Sequence, residues 1–231
     1  MTDLLTREEW SALWLSGTVA VTAATLALPA AVAVGYLLAR IGFPGKWLAE
    51  AIVDLPLVLP PVVTGYLLLV LLAPRGPVGG PLAEWFGIKI VFTWWAAVLA
   101  AMAVSFPLSV RSIRLAIQAV DPRLEMAARS LGAGRLRTFF TVTGPLAGRG
   151  MIAGWILAFA RSLGEFGATI MVAGNIAGRT RTIPLAIYSQ ASRPGGLDQS
   201  WRLVILSVVL ACAAMIVGAI LERRRSRHEA A

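Results

Sequence analysis

VDPRLEMAARSLGAGRLRTFFTVTGP, residues 120–145, separates two long apolar runs and decides how the chain is read. With its flanks it carries Arg111, Arg114, Arg123, Arg129, Arg135, Arg137 and Arg149, the densest basic region before the C-terminus. It has the signals of a structured element. Asp121 can accept from the free N–H groups of a helix start, and Pro122 suits the first helical position. Leu124, Ala127, Ala128 and Leu131 recur at i, i+3, i+4, i+7, which predicts one apolar helical face. Glu125 precedes Arg129 by four residues, the favourable order for an exposed ion pair. Gly132 suits the left-handed conformation that ends a helix, and Gly134 loosens the chain beyond it. The expected product is a short surface helix, a glycine corner and a lead into the next apolar span. Two alanines on its apolar face let another surface approach closely.

Outward from this stretch the chain reads as membrane. Of its 231 residues 58% are hydrophobic, and the mean hydropathy is +0.75. Soluble domains hold about 45–50% apolar residues. A spanning helix needs about 20 largely apolar residues, and the sequence offers about five such runs, at 13–39, 51–73, 91–110, 151–173 and 203–221. The expected fold class is therefore all-α and polytopic. Residues 1–10 are polar, with Trp10 and Trp14 as interfacial anchors. They lack a basic leader segment, so the first span is expected to serve as its own signal. The second run holds Pro56, Pro60 and Pro61, each of which removes a helical hydrogen bond. A helix broken this way in lipid is packed in protein or faces a cavity, so Pro60 and Pro61 mark either a pathway lining or a kinked packing helix. Asp54 near its end is left to cap or pair. Residues 74–89 read as a Gly/Pro-rich loop. Residues 175–202 read as a polar connection whose segment 183–188 dips into the membrane interface.

Lys and Arg bias sets orientation. Arg40, Lys46, the central loop with its flanks and the Arg223, Arg224, Arg225, Arg227 tail place thirteen basic residues on one side, against seven on the other. The central loop and C-terminus are expected in the cytoplasm and the N-terminus outside. The opposite-side Arg179, Arg181 and Arg193 either receive a partner and concentrate anions or are solvated loop residues.

The remaining charge is inside a span. Arg161 and Glu165 lie four apart in the fourth apolar run, where a lone charge is costly and a partner is expected. They read either as a structural ion pair or as part of a gate or anion path, with Gly164 and Gly167 allowing close helix approach or a flexible break. Other chemistry is excluded. There is no phosphate-cradling loop, since Gly45-Lys46 runs into Trp47 without the upstream glycine. The serines and the lone His228 make no hydrolytic triad. Cys212 sits in an apolar run and reads as a small buried residue, and no Cys/His cluster suggests zinc. The net charge of +9 reflects membrane flanks, with no aromatic-basic platform for nucleic acid.

Ala127-Ala128-x3-Gly132, with Gly144-Pro145 further on, resembles the "EAA" loop of ABC-importer permeases, with Met126 at the motif's usual glutamate and Glu125 one position before it. Phe43-Pro44-Gly45-Lys46, the run Leu55-Pro56-Leu57-Val58-Leu59-Pro60-Pro61-Val62-Val63, Ala160-Arg161-Ser162-Leu163-Gly164-Glu165-Phe166-Gly167-Ala168 and Arg181-Thr182-Ile183-Pro184 resemble molybdate permease subunits. The Gly-Glu-Phe-Gly stretch also resembles sulfate permeases. The resemblance implies a type I ABC importer permease domain over 10–225, with a coupling loop at 120–145 and a basic cytoplasmic tail at 223–231. It implies a multi-pass inner-membrane transport subunit, not an enzyme, working as a homodimer. The implied partners are two ATP-binding cassette subunits, which would hold ATP and Mg, and a periplasmic or lipid-anchored molybdate-binding protein, besides membrane lipid. No cofactor is implied in this chain. Glu125, Ala127, Ala128, Gly132 and Ala133 become the expected ATPase-docking residues. Pro60, Pro61, Arg161, Glu165 and Gly167 become pathway or gate candidates. A sulfate permease, or an autonomous carrier using Arg161 and Glu165 as its ion site, are the alternatives.

Overall fold

Thr6 starts the first helix by capping it in both directions. Its hydroxyl accepts from the Glu9 N–H at 3.2 Å, and the Glu9 carboxylate accepts from the Thr6 N–H at 2.7 Å, a reciprocal arrangement that satisfies two orphan donors. The computed structural model describes the backbone of residues 6–228 and, apart from 199 and 217–228, their side chains. Helix α1 runs Arg7–Arg40, about 50 Å at 1.5 Å per residue, which exceeds a bilayer's hydrocarbon thickness. Its inner face is made of small residues: Ala20, Ala23, Ala24, Ala27, Ala31 and Gly35 are all buried.

That face meets α5 (Trp94–Ala119), the central helix, which packs most extensively against α1 and α8 (Gly144–Leu163). The α5–α8 contact is close because α8 has no side chains there. A Cβ on Gly154 would lie 3.1 Å from the Ser109 carbonyl, and one on Gly150 would lie 2.0 Å from the Ala116 Cβ. The gap is bridged by polar bonds. Ser109 Oγ donates to the Gly154 carbonyl at 2.8 Å and Ser112 Oγ to the Gly150 carbonyl at 3.1 Å. Small residues plus interhelical hydrogen bonds are what hold helices together in lipid, where apolar burial gives little.

The second apolar run is not one spanning helix. It forms α2 (Lys46–Val58) and α3 (Pro61–Leu72), bent by 110°. Pro60 and Pro61 have no N–H to continue the ladder. The Leu59 N–H closes α2 on the Leu55 carbonyl, and α3 restarts on the Pro60 carbonyl. No residue of α2 is buried. Two ion pairs hold it to α5: Arg111 reaches Asp54 with bonds of 2.9 and 2.7 Å, and Arg114 reaches Glu50 at 2.8 Å. The stretch 74–89 is not all loop, since it contains α4 (Gly79–Phe86).

After α5 come α6 (Pro122–Ser130), α7 (Arg135–Thr138) and a π turn (Phe139–Thr143) that runs into α8. The π turn bonds the Gly144 N–H to the Phe139 carbonyl just before Pro145, which offers no donor. The fourth span therefore begins at 135, inside the loop, and ends at Leu163, not at 151 and 173. Hydropathy missed this because Arg149 sits exposed on a turn that is nevertheless helical. Past the break lie α9 (Gly167–Val172), α10 (Ile183–Ala191) and α11 (Leu197–His228). Within segment 183–188, Ile183 and Ala186 pack with Ala12 and Leu203 in a buried cluster. Cys212 is exposed, not buried. Tail residues 223–228 continue α11, and 229–231 lie outside the described residues. Among the described residues three helices are long and apolar enough to span a membrane, four with the bent pair, and Ser200–Ile216 of α11 is a shorter apolar helix.

Gly150→Ala is expected to lower stability by about 1–3 kcal/mol, the usual effect of overpacking. Gly17→Ala, whose Cβ would meet nothing within 4 Å, leaves it unchanged. Thermal unfolding of both variants in detergent checks the contrast.

Candidate functional site

The loop forms as its caps dictate. The Asp121 carboxylate accepts from the Arg123 N–H at 2.9 Å, Pro122 occupies the first helical turn, and Gly132 stands at φ +86° where the chain leaves α6. The expected Glu125–Arg129 pair forms, but on a buried carboxylate and as the longer of two contacts. Glu125 is 5% exposed and turns into the protein, with the Arg129 guanidinium at 3.9 Å. Its main partner is Arg40 at the end of α1, whose Nε donates to the carboxylate at 2.9 Å. Thr143 Oγ1 donates to the same oxygen at 2.9 Å, and Arg40 Nη2 donates to the Val120 carbonyl at 2.6 Å. One carboxylate thus ties α6 to α1 and to the π turn, and Arg40 carries the tie on to the end of α5. A buried carboxylate needs both a cation and hydrogen bonds, and here it has them.

The other side of α6 is bare. Leu124, Met126 and Leu131 are 48%, 58% and 90% exposed. Ala127 and Gly132 are exposed beside them, with Ala128 and Ala133 half-buried. Such a contiguous patch, rimmed by arginines, marks an interaction surface. Of the residues expected to dock, Glu125 alone is turned away from it.

The second cluster lies where two helix breaks meet. Arg161 and Glu165 do pair, Nη2 to Oε2 at 2.9 Å, but not on one continuous helix. α8 stops at Leu163, and Glu165 lies in the break before α9. Its other oxygen accepts from the Ala168 N–H at 2.8 Å. The Glu165 side chain is 2% exposed and that of Arg161 is 30% exposed, so the pair reaches outward through the arginine. The break in α2–α3 packs directly on this one. A Cβ on Gly167 would lie 2.9 Å from Pro61, and one on Gly65 would lie 2.7 Å from the Ala168 backbone. Pro61, Gly167 and Glu165 are therefore neighbours, with Pro60 and Arg161 at the edges. Gly65 and Thr64 belong to the same crossing, and sequence reasoning missed both. The Thr64 hydroxyl is buried without a hydrogen-bond partner, which no spacing rule signals.

At the far end of α1, Arg181 does not collect anions freely. It lies 3.7 Å from Glu8 and donates to the Asn175 side-chain carbonyl at 2.9 Å. Arg202 lies 3.5 Å from Glu9. Arg179 and Arg193 are exposed. Charges thus gather at two opposite ends of α1.

Residues 31–227 match the model of the binding-protein-dependent transport system inner membrane component family. The chain belongs to that family. It is a multi-pass inner-membrane transport component, not an enzyme. It is 53% identical to the molybdenum transport system permease protein ModB of Escherichia coli (strain K12), covering 95% of this chain and 96% of the relative. It is 48% identical to ModB of Haemophilus influenzae over the same shares of each chain. The fold matches a bacterial ABC transporter for alginate import with a TM-score of 0.74 at 16% identity, covering 95% of this chain and 80% of that one. That likeness establishes the type I importer permease fold.

Arg40→Met leaves the buried Glu125 carboxylate only the more distant Arg129 guanidinium as its cation and is expected to cost about 3 kcal/mol. The double variant Arg40→Met/Glu125→Met should recover most of it, since neither charge is then stranded. Unfolding midpoints of the single and double variants measure the coupling.

Proposed function

We propose that this chain is the permease subunit of an ATP-driven importer for molybdate, with tungstate as a second substrate. It forms a homodimer that works with two ATP-binding subunits, which hold ATP and Mg, and with a periplasmic or lipid-anchored molybdate-binding protein. Loop 120–145 and the C-terminus face the cytoplasm and the N-terminus faces out. Residues 10–225 are the permease domain and 223–231 the basic tail. The cargo rests on near full-length similarity to proteins named for molybdenum transport. The geometric support is the two-sided character of α6, bare and apolar outward and ion-paired inward.

That division suits a coupling element. Ala127, Ala128, Gly132 and Ala133 present a surface with little side chain, onto which an ATPase subunit can close. Glu125 positions the helix and does not touch the partner. When ATP draws two ATPase subunits together, α6 moves with its docked subunit. The Glu125–Arg40 and Glu125–Thr143 bonds carry that displacement into α1 and α8 as a rigid body. α3 and α9 cross beyond, and a shift there opens or closes the route beside Pro60, Pro61, Gly167 and the Arg161–Glu165 pair. Arg161, partly exposed beside a carboxylate that holds its orientation, is the cation a passing oxyanion meets. The binding protein favours the outward-open state and biases it only by its differential affinity.

Cells lacking only this chain should lose uptake of labelled molybdate and regain it on re-expression, with tungstate competing and sulfate inert. Suppression by sulfate would move the cargo to that anion. Uptake that persists without an ATPase would favour an autonomous carrier. Gly132→Asp, which forces a side chain into the left-handed region at about 1–2 kcal/mol and puts charge on the docking face, should stay in the membrane and lose ATP-coupled uptake. Arg161→Ala should insert and assemble normally while transport falls. Normal uptake by either variant would remove that residue from the mechanism.

A further inference from the structure

The flank of α1 beside α8 is open. Gly144 and Gly148 put no side chain into the space, and the π turn sets Phe139 and Phe140 along its edge. The result is a groove of about 870 Å³ that runs from Trp155 past Pro29 and Val32. It continues into a hollow of about 350 Å³ that shares Pro29, Val32, Phe139 and Phe140 and ends at Ile41 and Arg135. From Pro29 to Ile41 the groove is about 18 Å long at 1.5 Å per residue, close to the ~15 Å hydrocarbon depth of one leaflet. Its walls are apolar until the last turn. There stands Arg135, exposed and with no ion-pair partner among the described residues.

An apolar slot the length of one leaflet, closed by a cation where head groups lie, has the chemistry of an acidic lipid. We propose that this groove holds an acyl chain of an anionic phospholipid from the leaflet on the side of loop 120–145, with its phosphate on the Arg135 guanidinium. A planar guanidinium pairs with phosphate through two hydrogen bonds, and basic pockets between membrane helices bind anionic head groups. A second copy of the chain fits the charge poorly. The described carboxylates at this end are already engaged: Glu50 with Arg114, Asp54 with Arg111, Glu125 with Arg40, and Asp121 as the cap of α6. The site is independent of the cargo. It lies against the π turn that carries Thr143, so an occupied groove wedges one of the anchors of α6.

The test is to reconstitute the full chain in bilayers of phosphatidylglycerol and phosphatidylcholine, extract it in mild detergent and count retained lipid by native mass spectrometry. The wild type should keep phosphatidylglycerol over phosphatidylcholine. Arg135→Gln, at an exposed position, should lower phosphatidylglycerol retention about fivefold, the worth of one basic contact at a membrane surface, and leave phosphatidylcholine unchanged. Val32→Trp fills the groove where its two parts join and should expel both lipids. Equal phosphatidylglycerol retention in wild type and Arg135→Gln would overturn the proposal. So would a Val32→Trp chain that becomes monomeric with lipid counts unchanged, which would give the groove to a second copy.

Discussion

The carboxylate of Glu125 is the group on which the arrangement of the loop depends. It is buried, so it is stable only while charged partners face it. Arg40 supplies the cation and Thr143 a hydrogen bond. Those two residues come from the end of the first helix and the start of the fourth span, elements that would otherwise only adjoin α6. With the carboxylate satisfied inward, α6 is free to leave its other face apolar and uncovered. A short helix of nine residues is marginal alone in water. Here its caps and its one buried ion pair do what length cannot.

Much of this loop was legible in sequence because its signals are local. Asp121-Pro122 named the start of α6 and Gly132 its end, and the structure places both as read. The facing partner of Glu125 was not legible. Arg129 stood at the spacing that favours a pair, while Arg40 lies 85 residues away and no periodicity reaches that far. The all-helical class was equally plain from hydropathy, but the spans were not. A window that counts apolar residues sees Pro60-Pro61 only as a weak point in one run, though the missing N–H groups turn the chain by 110°. The same window shortened the fourth span at Arg149 and carried it through Gly164, where the helix stops.

The two breaks make physical sense only together. Backbone freed from a helix at membrane depth must be satisfied within the protein. At Gly164–Phe166 the satisfaction is electrostatic: Glu165 caps the Ala168 N–H and is itself paired with Arg161. At Pro60–Pro61 it is achieved by subtraction, since proline has no donor to leave orphaned. Gly65 and Gly167 then let the two interrupted segments touch at backbone distance. Side chains at either glycine would force them apart.

This crossing also shows why charge at depth need not be a fault in packing. A carboxylate that is fully buried and twice bonded is fixed in place. An arginine paired with it is held in orientation yet keeps about a third of its side chain open. The neighbouring Thr64 hydroxyl is buried and unpaired, so polar capacity remains unspent on one side of the same contact. Other ion pairs stand at the two ends of α1, Glu8 with Arg181 and Glu9 with Arg202 at one, Glu125 with Arg40 at the other. Charge held in orientation and an unspent hydroxyl thus stand together where the two broken helices cross.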